Sequence, residues 1–260
     1  MGGRIRVERE APLGWIIFDQ PERRNAISAE MWRQIPGAVQ ELADDPAIRV
    51  VILRGEGDVA FVSGADISEF EVSRAGNGAQ SYDADNAAAF GALATLAKPV
   101  LALIHGFCVG GGCAIALTAD LRYAADDAVF AIPAARLGLG YSAHGIKALV
   151  NVVGTPAAKE IFLTARRFDA DEAQQMGLVN RVLPKAELDA AVRKTAERIA
   201  GNAPLTLRAA KLAFGEIAKP DAKRDYATLL EATRACYASE DYAEGVRAFL
   251  EKRRPNFKGK

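Results

Sequence analysis

Three consecutive glycines, Gly110, Gly111 and Gly112, form the densest chemical signal in the chain. They follow an apolar run of strand length at 99–104 and precede a short run from 114 to 117 made of good helix formers. The triplet is therefore predicted at a strand-to-helix turn. Without side chains the backbone there can approach a ligand closely, and the first helical amides are donors without partners at the positive end of the helix dipole. Such a turn suits developing negative charge. A second interruption of the same kind is Gly64 in FVSGADISEF, residues 61–70. Two turns, each following a strand in an alternating fold, could aim their amides at one oxygen. Plainer readings stay open for both: the triplet permits tight packing of helix on sheet, and Gly64 with Asp66 makes an ordinary capped turn.

A third group of interest is Tyr141, Ser142 and His144 in LGLGYSAHG. A serine-hydrolase elbow would need glycine two residues after Ser142, where His144 stands. His144 also fits a helix start facing solvent, and Tyr141 a packing position. Dinucleotide binding is disfavoured at both glycine-rich stretches. A fingerprint beginning at Gly110 fails at Ile115, and GLGYSA has the spacing but follows its strand candidate, ending near 132, by several residues too many.

The elements that must position these groups come from a chain of 260 residues, half of them hydrophobic, enough for one large domain or a domain with an appendage. Lys plus Arg number 33, as do Asp plus Glu, so no bulk charge draws the chain to nucleic acid or an anionic membrane. Cys108, Cys113 and Cys236 lack metal-ligand spacing and His105 and His144 are the only imidazoles, which argues against a metal site or a disulfide framework. MGGRIRVERE has no apolar signal region and no run reaches transmembrane length, so the chain reads as cytoplasmic.

A hairpin is expected at 5–18, then QPERRNAIS with Arg23 and Arg24, a helix capped by Ser28 to about 43, and a buried strand at 49–55. Residues 72–85 are polar and small and read as a surface loop beside the pocket, followed by a helix to 97. LRYAADDAVFAI reads as two strands around Asp126 and Asp127. A helix follows from about 143 to 153, and another starts at Pro156. Then come a short helix, a stop at Gly177 and a last strand. From 184 onward only helices are predicted: 185–200, 204–217, 221–238 and 241–252, the last amphipathic with Tyr242, Val246, Phe249 and Leu250 on one side.

Taken together, PERRNAIS, FVSGADISEF, KPVLALIHGFCVGGGCAIALTAD, ARLGLG, FLTARRFDADEAQQMGLVNRV and AFLEKRRPNF, in this order and spacing, resemble the crotonase superfamily, also called the enoyl-CoA hydratase/isomerase family, over nearly the whole chain. The resemblance implies an α/β fold, a spiral of strand-strand-helix repeats over 1–200 that binds acyl-CoA, with a C-terminal helical trimerisation region at 201–260. Homotrimers or hexamers built as dimers of trimers are implied. So is an oxyanion hole for the thioester carbonyl, made by the backbone amides of Ala65 and Gly111. Ala65, Asp66 and Ile67 would line the coenzyme A path, Arg23 or Arg24 would stand near its phosphates, and Phe249 and Lys252 would reach the ligand from a neighbouring subunit. Coenzyme A would enter as part of the substrate, with no separate cofactor.

A hydratase of the family carries glutamate two residues after the glycine triplet and after the proline of FAIPAARLG. This chain has Ala114 and Ala134 there. Hydration needs a held and activated water with proton delivery, which alanine does not supply. Among family members the methylmalonyl-CoA decarboxylases are similar at these positions and carry a functional tyrosine matching Tyr141, although they have histidine where this chain has Ala65. Losing carbon dioxide from a malonyl-type thioester creates the enolate by bond cleavage, so it needs an oxyanion hole and an oriented carboxylate but no general base. The expectation is thus an acyl-CoA lyase, poor as a hydratase, working through Tyr141 and His144. The alternatives are a hydratase or isomerase of fatty-acid metabolism using another acid, with Asp83 and Asp85 as candidates, a thioester or β-diketone hydrolase using His144, and a CoA-binding protein without activity.

Overall fold

The structure is a computed structural model that describes residues 3–69 and 77–260. Beyond an N-terminal hairpin its strands are divided between two sheets. The hairpin of β1 (Arg4–Glu10) and β2 (Leu13–Asp19) is followed by α1 (Ala29–Asp44). Next come β3 (Val50–Gly55) and β4 (Ala60–Val62), then α2 (Asn77–Thr95). The same unit recurs as β5 (Val100–Ile104), β6 (Phe107–Val109) and α3 (Gly111–Ala116), and again as β7 (Leu121–Ala125), β8 (Val129–Ala131) and α4 (Ala143–Thr164). β9 (Phe168–Asp169), α5 (Ala170–Gln175) and β10 (Arg181–Leu183) close the series. One sheet runs β1-β2-β3-β5-β7-β10 and the other β4-β6-β8-β9, so each repeat contributes one strand to each. This is the strand-strand-helix spiral expected from the sequence.

The inner strands of the larger sheet are buried on both faces, and their side chains alternate between two cores as the strand period requires. Ile16, Phe18, Val51, Leu53, Val100, Ala102 and Ile104 face the main core. Their neighbours Trp15, Ile17, Val50, Ile52, Leu101 and Leu103 face a second core, closed by Leu188, Val192 and Ala196 of α6 (Lys185–Ala200). Three further helices follow: α7 (Pro204–Ile217), α8 (Tyr226–Tyr237) and α9 (Glu240–Leu250). Lys211 on α7 ties them to the body by donating to Asp120 at 2.8 Å and to the Lys98 carbonyl at 2.9 Å.

Several boundaries differ from expectation. Residues 77–85, read as loop, are the first turns of α2; 72–76 of that expected loop lie outside the described residues. β7 and β8 do not pair with each other but belong to different sheets. The expected helix at 221–238 is a 3-10 turn, Asp221–Lys223, followed by α8, where Asp225 caps the new start by accepting from the Thr228 amide at 3.0 Å. α4 is broken at Gly154 (φ 72°, ψ 167°), just before the predicted restart at Pro156. Among the described residues no helix is long and apolar enough to cross a membrane.

Candidate active site

β4 and β6 are parallel neighbours, so the chain leaves both at the same end of the sheet, where ligands of such folds gather. Gly64 follows β4 with φ 115°, a conformation that side chains rarely adopt. Gly110 follows β6 with φ 53° and ψ −111°. The next two glycines differ in purpose. A Cβ on Gly112 would stand 2.1 Å from the Val62 carbonyl oxygen, so α3 can lie this close to β4 only with glycine there. A Cβ on Gly111 would clash with nothing, but it would point at the backbone nitrogen of Ala65, 3.7 Å away. α3 starts at Gly111, earlier than expected, and that amide has no acceptor within the helix.

Ala65 is held from the other side. Ile27 donates to the Gly64 carbonyl at 2.8 Å and the Asp66 amide donates to the Ile27 carbonyl at 2.9 Å, a parallel bridge between Ile27 and Ala65. The bridge uses the Gly64 carbonyl and the Asp66 N–H, and among the described residues the Ala65 N–H donates to no protein acceptor. Two backbone N–H groups without protein acceptors thus lie on neighbouring turns, and a pair of this kind can stabilise an oxyanion when both face it.

Trp32 completes this corner, with its Cζ2 3.5 Å from the same Cβ position on Gly111. Its indole N–H donates to the Tyr82 hydroxyl at 3.2 Å. Sequence reasoning passed over both residues, because Trp32 lies on the apolar stripe of α1 with Met31, Ile35, Val39 and Leu42 and looks like ordinary core. The third wall is the 3-10 turn Pro133–Arg136, since Pro133 Cδ lies 3.9 Å from a Cβ on Gly110. Ala134 is buried there and Ala114 lies in α3, and neither position carries a carboxylate. Tyr141 is half-buried, with its ring edge-on to Phe162 at 4.9 Å. Ser142 caps α4 by accepting from the Gly145 amide at 3.2 Å, which gives its hydroxyl a structural task. His144 is in the first turn of α4; its side chain lies outside the described residues.

The residues expected along the coenzyme A path are distributed unevenly. Arg23 pairs with the buried Asp66 at 2.5 Å, and Arg24 lies over the Phe107 ring at 4.6 Å. Ile67 is exposed beside them. Phe249 and Lys252 sit at the far C-terminal end of the chain's helical region, both exposed. Of the alternative acids, Asp85 is on α2 facing Arg33 at 3.6 Å, and Asp83 is exposed on the same helix. Cys113 donates its thiol to the Cys108 carbonyl at 2.9 Å, and burial pushes the Cys108 thiol well above the usual range, so neither is a ready nucleophile.

The profile of the enoyl-CoA hydratase/isomerase family matches residues 8–260. The chain belongs to this family. It is 37% identical over 253 residues to the crotonyl-CoA hydratase of Syntrophomonas wolfei, with 97% of each chain covered. It is 34% identical over 252 residues to the carnitinyl-CoA dehydratase of Proteus mirabilis, with 94% of each covered. Among solved structures, an enoyl-CoA hydratase/carnithine racemase from Magnetospirillum magneticum superposes with a TM-score of 0.94 at 36% identity, covering 98% of this chain and 96% of that one. In this crotonase-family fold the turns at Gly64 and Gly110 are neighbours, with the Cβ position of Gly111 3.7 Å from the Ala65 nitrogen.

Proposed function

We propose that this crotonase-family chain acts on an acyl-CoA thioester, stabilising an enolate oxygen between the Ala65 and Gly111 amides, and that it is not an efficient hydratase. The observation that supports the reading is the close approach of the Gly111 turn to the Ala65 nitrogen, 3.7 Å from the Gly111 Cβ position, in a chain with alanine at 114 and 134. One fixed donor of this kind typically contributes about 3 kcal/mol to the transition state. The reaction that suits the residues is decarboxylation of a malonyl-type ester. The bond between the α carbon and the carboxylate breaks, its electron pair moves toward the thioester oxygen, carbon dioxide leaves, and a proton then returns to the α carbon. Tyr141 is the residue proposed to orient the carboxylate, with His144 nearby as a group able to return the proton. Arg23, Arg24, Asp66 and Ile67 are proposed to hold the coenzyme A portion, with Phe249 and Lys252 reaching it from a neighbouring subunit of a trimer or hexamer.

A second reading, hydration or dehydration of an enoyl ester, is favoured by the names of the crotonyl-CoA hydratase and carnitinyl-CoA dehydratase relatives. It requires an acid other than at 114 and 134. The deciding experiment offers crotonyl-CoA and methylmalonyl-CoA to one preparation, with Tyr141→Phe in parallel. Release of carbon dioxide that falls in Tyr141→Phe supports the first reading. Hydration of crotonyl-CoA at about 10 per second or faster, an ordinary enzymatic rate, overturns it in favour of the second.

A further inference from the structure

Trp32 does more at this corner than fill space. Its Cζ2 and Cη2 lie 3.5 and 3.8 Å from the point where a Gly111 side chain would begin, and the Ala65 nitrogen lies 3.7 Å from that same point. The edge of the indole and one of the two amide donors therefore border the same small volume. The ring itself is 2% exposed and held from α2, where Tyr82 accepts its N–H at 3.2 Å and Phe90 packs at 5.2 Å between centroids. Tyr82 and Phe90 are eight residues apart, about two helical turns, so one face of α2 grips the indole at two points. A core that needed only apolar volume at position 32 would be served by leucine or phenylalanine. A buried indole N–H instead demands an acceptor, and the acceptor present fixes how the ring is turned.

We infer that Trp32 is a positioning residue for the oxyanion hole, with the Tyr82 hydroxyl setting the angle at which the indole edge supports the Gly111 turn. The inference rests on the reading of the Ala65 and Gly111 amides as oxyanion donors. Donors of this kind work over a narrow range, about 2.7–3.1 Å from the oxyanion, so a slight sag of one turn weakens charge stabilisation while leaving the coenzyme A contacts intact. Trp32 acts through the packing of its indole edge beside the Gly111 turn.

The test uses butyryl-CoA labelled with carbon-13 at the thioester carbonyl, a saturated ester with no carboxylate to lose. Its carbonyl stretch is read by infrared difference spectroscopy bound to the wild type, to Trp32→Phe and to Tyr82→Phe, with affinities from calorimetry and folding from circular dichroism melts. The expected result is a downshifted band in the wild type whose shift shrinks by about half or more in both variants, as the donors lose alignment. Affinity is expected to change by less than about threefold. Folded variants that keep the full wild-type shift overturn the inference and leave the acyl-CoA reading standing, even if their melting temperatures fall. Should Trp32→Phe fail to fold, Tyr82→Phe decides, since it deletes one oxygen and keeps the ring. Wild-type protein that binds the ester with an unshifted band overturns the oxyanion reading together with the inference, and wild-type protein that does not bind it overturns the acyl-CoA reading as well.

Discussion

A methyl group added to Gly111 would stand 3.7 Å from the backbone nitrogen of Ala65, in ordinary contact and without any clash. Gly111 opens a helix and has no left-handed φ, so alanine is conformationally acceptable there. The methyl would nevertheless fill space between the Gly111 turn and the Ala65 nitrogen, where the proposed oxyanion would have to fit. Gly111→Ala is therefore expected to melt like the wild type while turnover of the productive CoA ester falls by roughly 10²-fold, the scale of one lost donor. Unchanged turnover would mean that the oxyanion is held elsewhere.

Gly112→Ala should behave in the opposite way. Its new Cβ would meet the Val62 carbonyl oxygen at 2.1 Å and the Val62 Cβ at 3.0 Å, so backbone of β4 or α3 must move. Overpacking against backbone typically costs about 1–3 kcal/mol. A lowered urea midpoint, measured beside Gly111→Ala, is the expected outcome. Equal midpoints for the two variants would show that β4 and α3 adjust freely.

The glycines carried the fold and the site corner into view from sequence, because a missing side chain at a strand end has few explanations. Gly64 and Gly110 have positive φ and Gly112 tolerates no Cβ, two separate backbone reasons for the same residue type. What stayed hidden has physical causes too. β6 is three residues long, too short to display a period, and it merges by sequence into the strand before it. The first turns of α2, with Tyr82 among small and polar residues, resemble a loop until packing against α1 is known. The partnership of Arg23 with Asp66 spans 43 residues of sequence, and Trp32 is indistinguishable from core until Gly111 is placed against it.

Assembly is the third prediction. Phe249 is 83% exposed, Leu250 75%, Phe214 73% and Tyr237 65%, all on α7, α8 and α9. Phe249, Leu250 and Tyr237, with Tyr242 and Val246, edge a cavity of about 760 Å³ between those helices. So much large apolar surface on one side of a chain is more than a solitary protein ordinarily leaves in water. Light scattering at micromolar concentration is expected to give at least a trimer, and Phe249→Asp to shift the population toward monomer. Lys252→Glu is expected to weaken butyryl-CoA binding, since it reverses a charge that the proposed function sets near the phosphates. A wild-type monomer would contradict the assembly and its shared site together.

The last prediction concerns acid. His105 follows β5 and is 6% exposed, with Nε2 2.7 Å from Oδ2 of Asp189 on α6. The hydrogen bond from His105 holds the Asp189 carboxyl below its ordinary range; burial opposes this, and the charges of His105 and Arg54 assist. A carboxyl lowered by folding contributes stability above its unfolded pKa and loses it as pH falls through the folded one. The contact pins α6, whose Leu188, Val192 and Ala196 close the second core, so its loss is read as global stability. Asp189 is more than half exposed at its side chain, and solvent screening keeps the contribution below about 1 kcal/mol. Asp189→Ala is therefore expected to lower the urea midpoint at pH 7, with the gap to wild type closing as pH drops below the ordinary aspartate range. A gap of the same size at both ends would assign the effect to packing of the side chain and not to its ionisation.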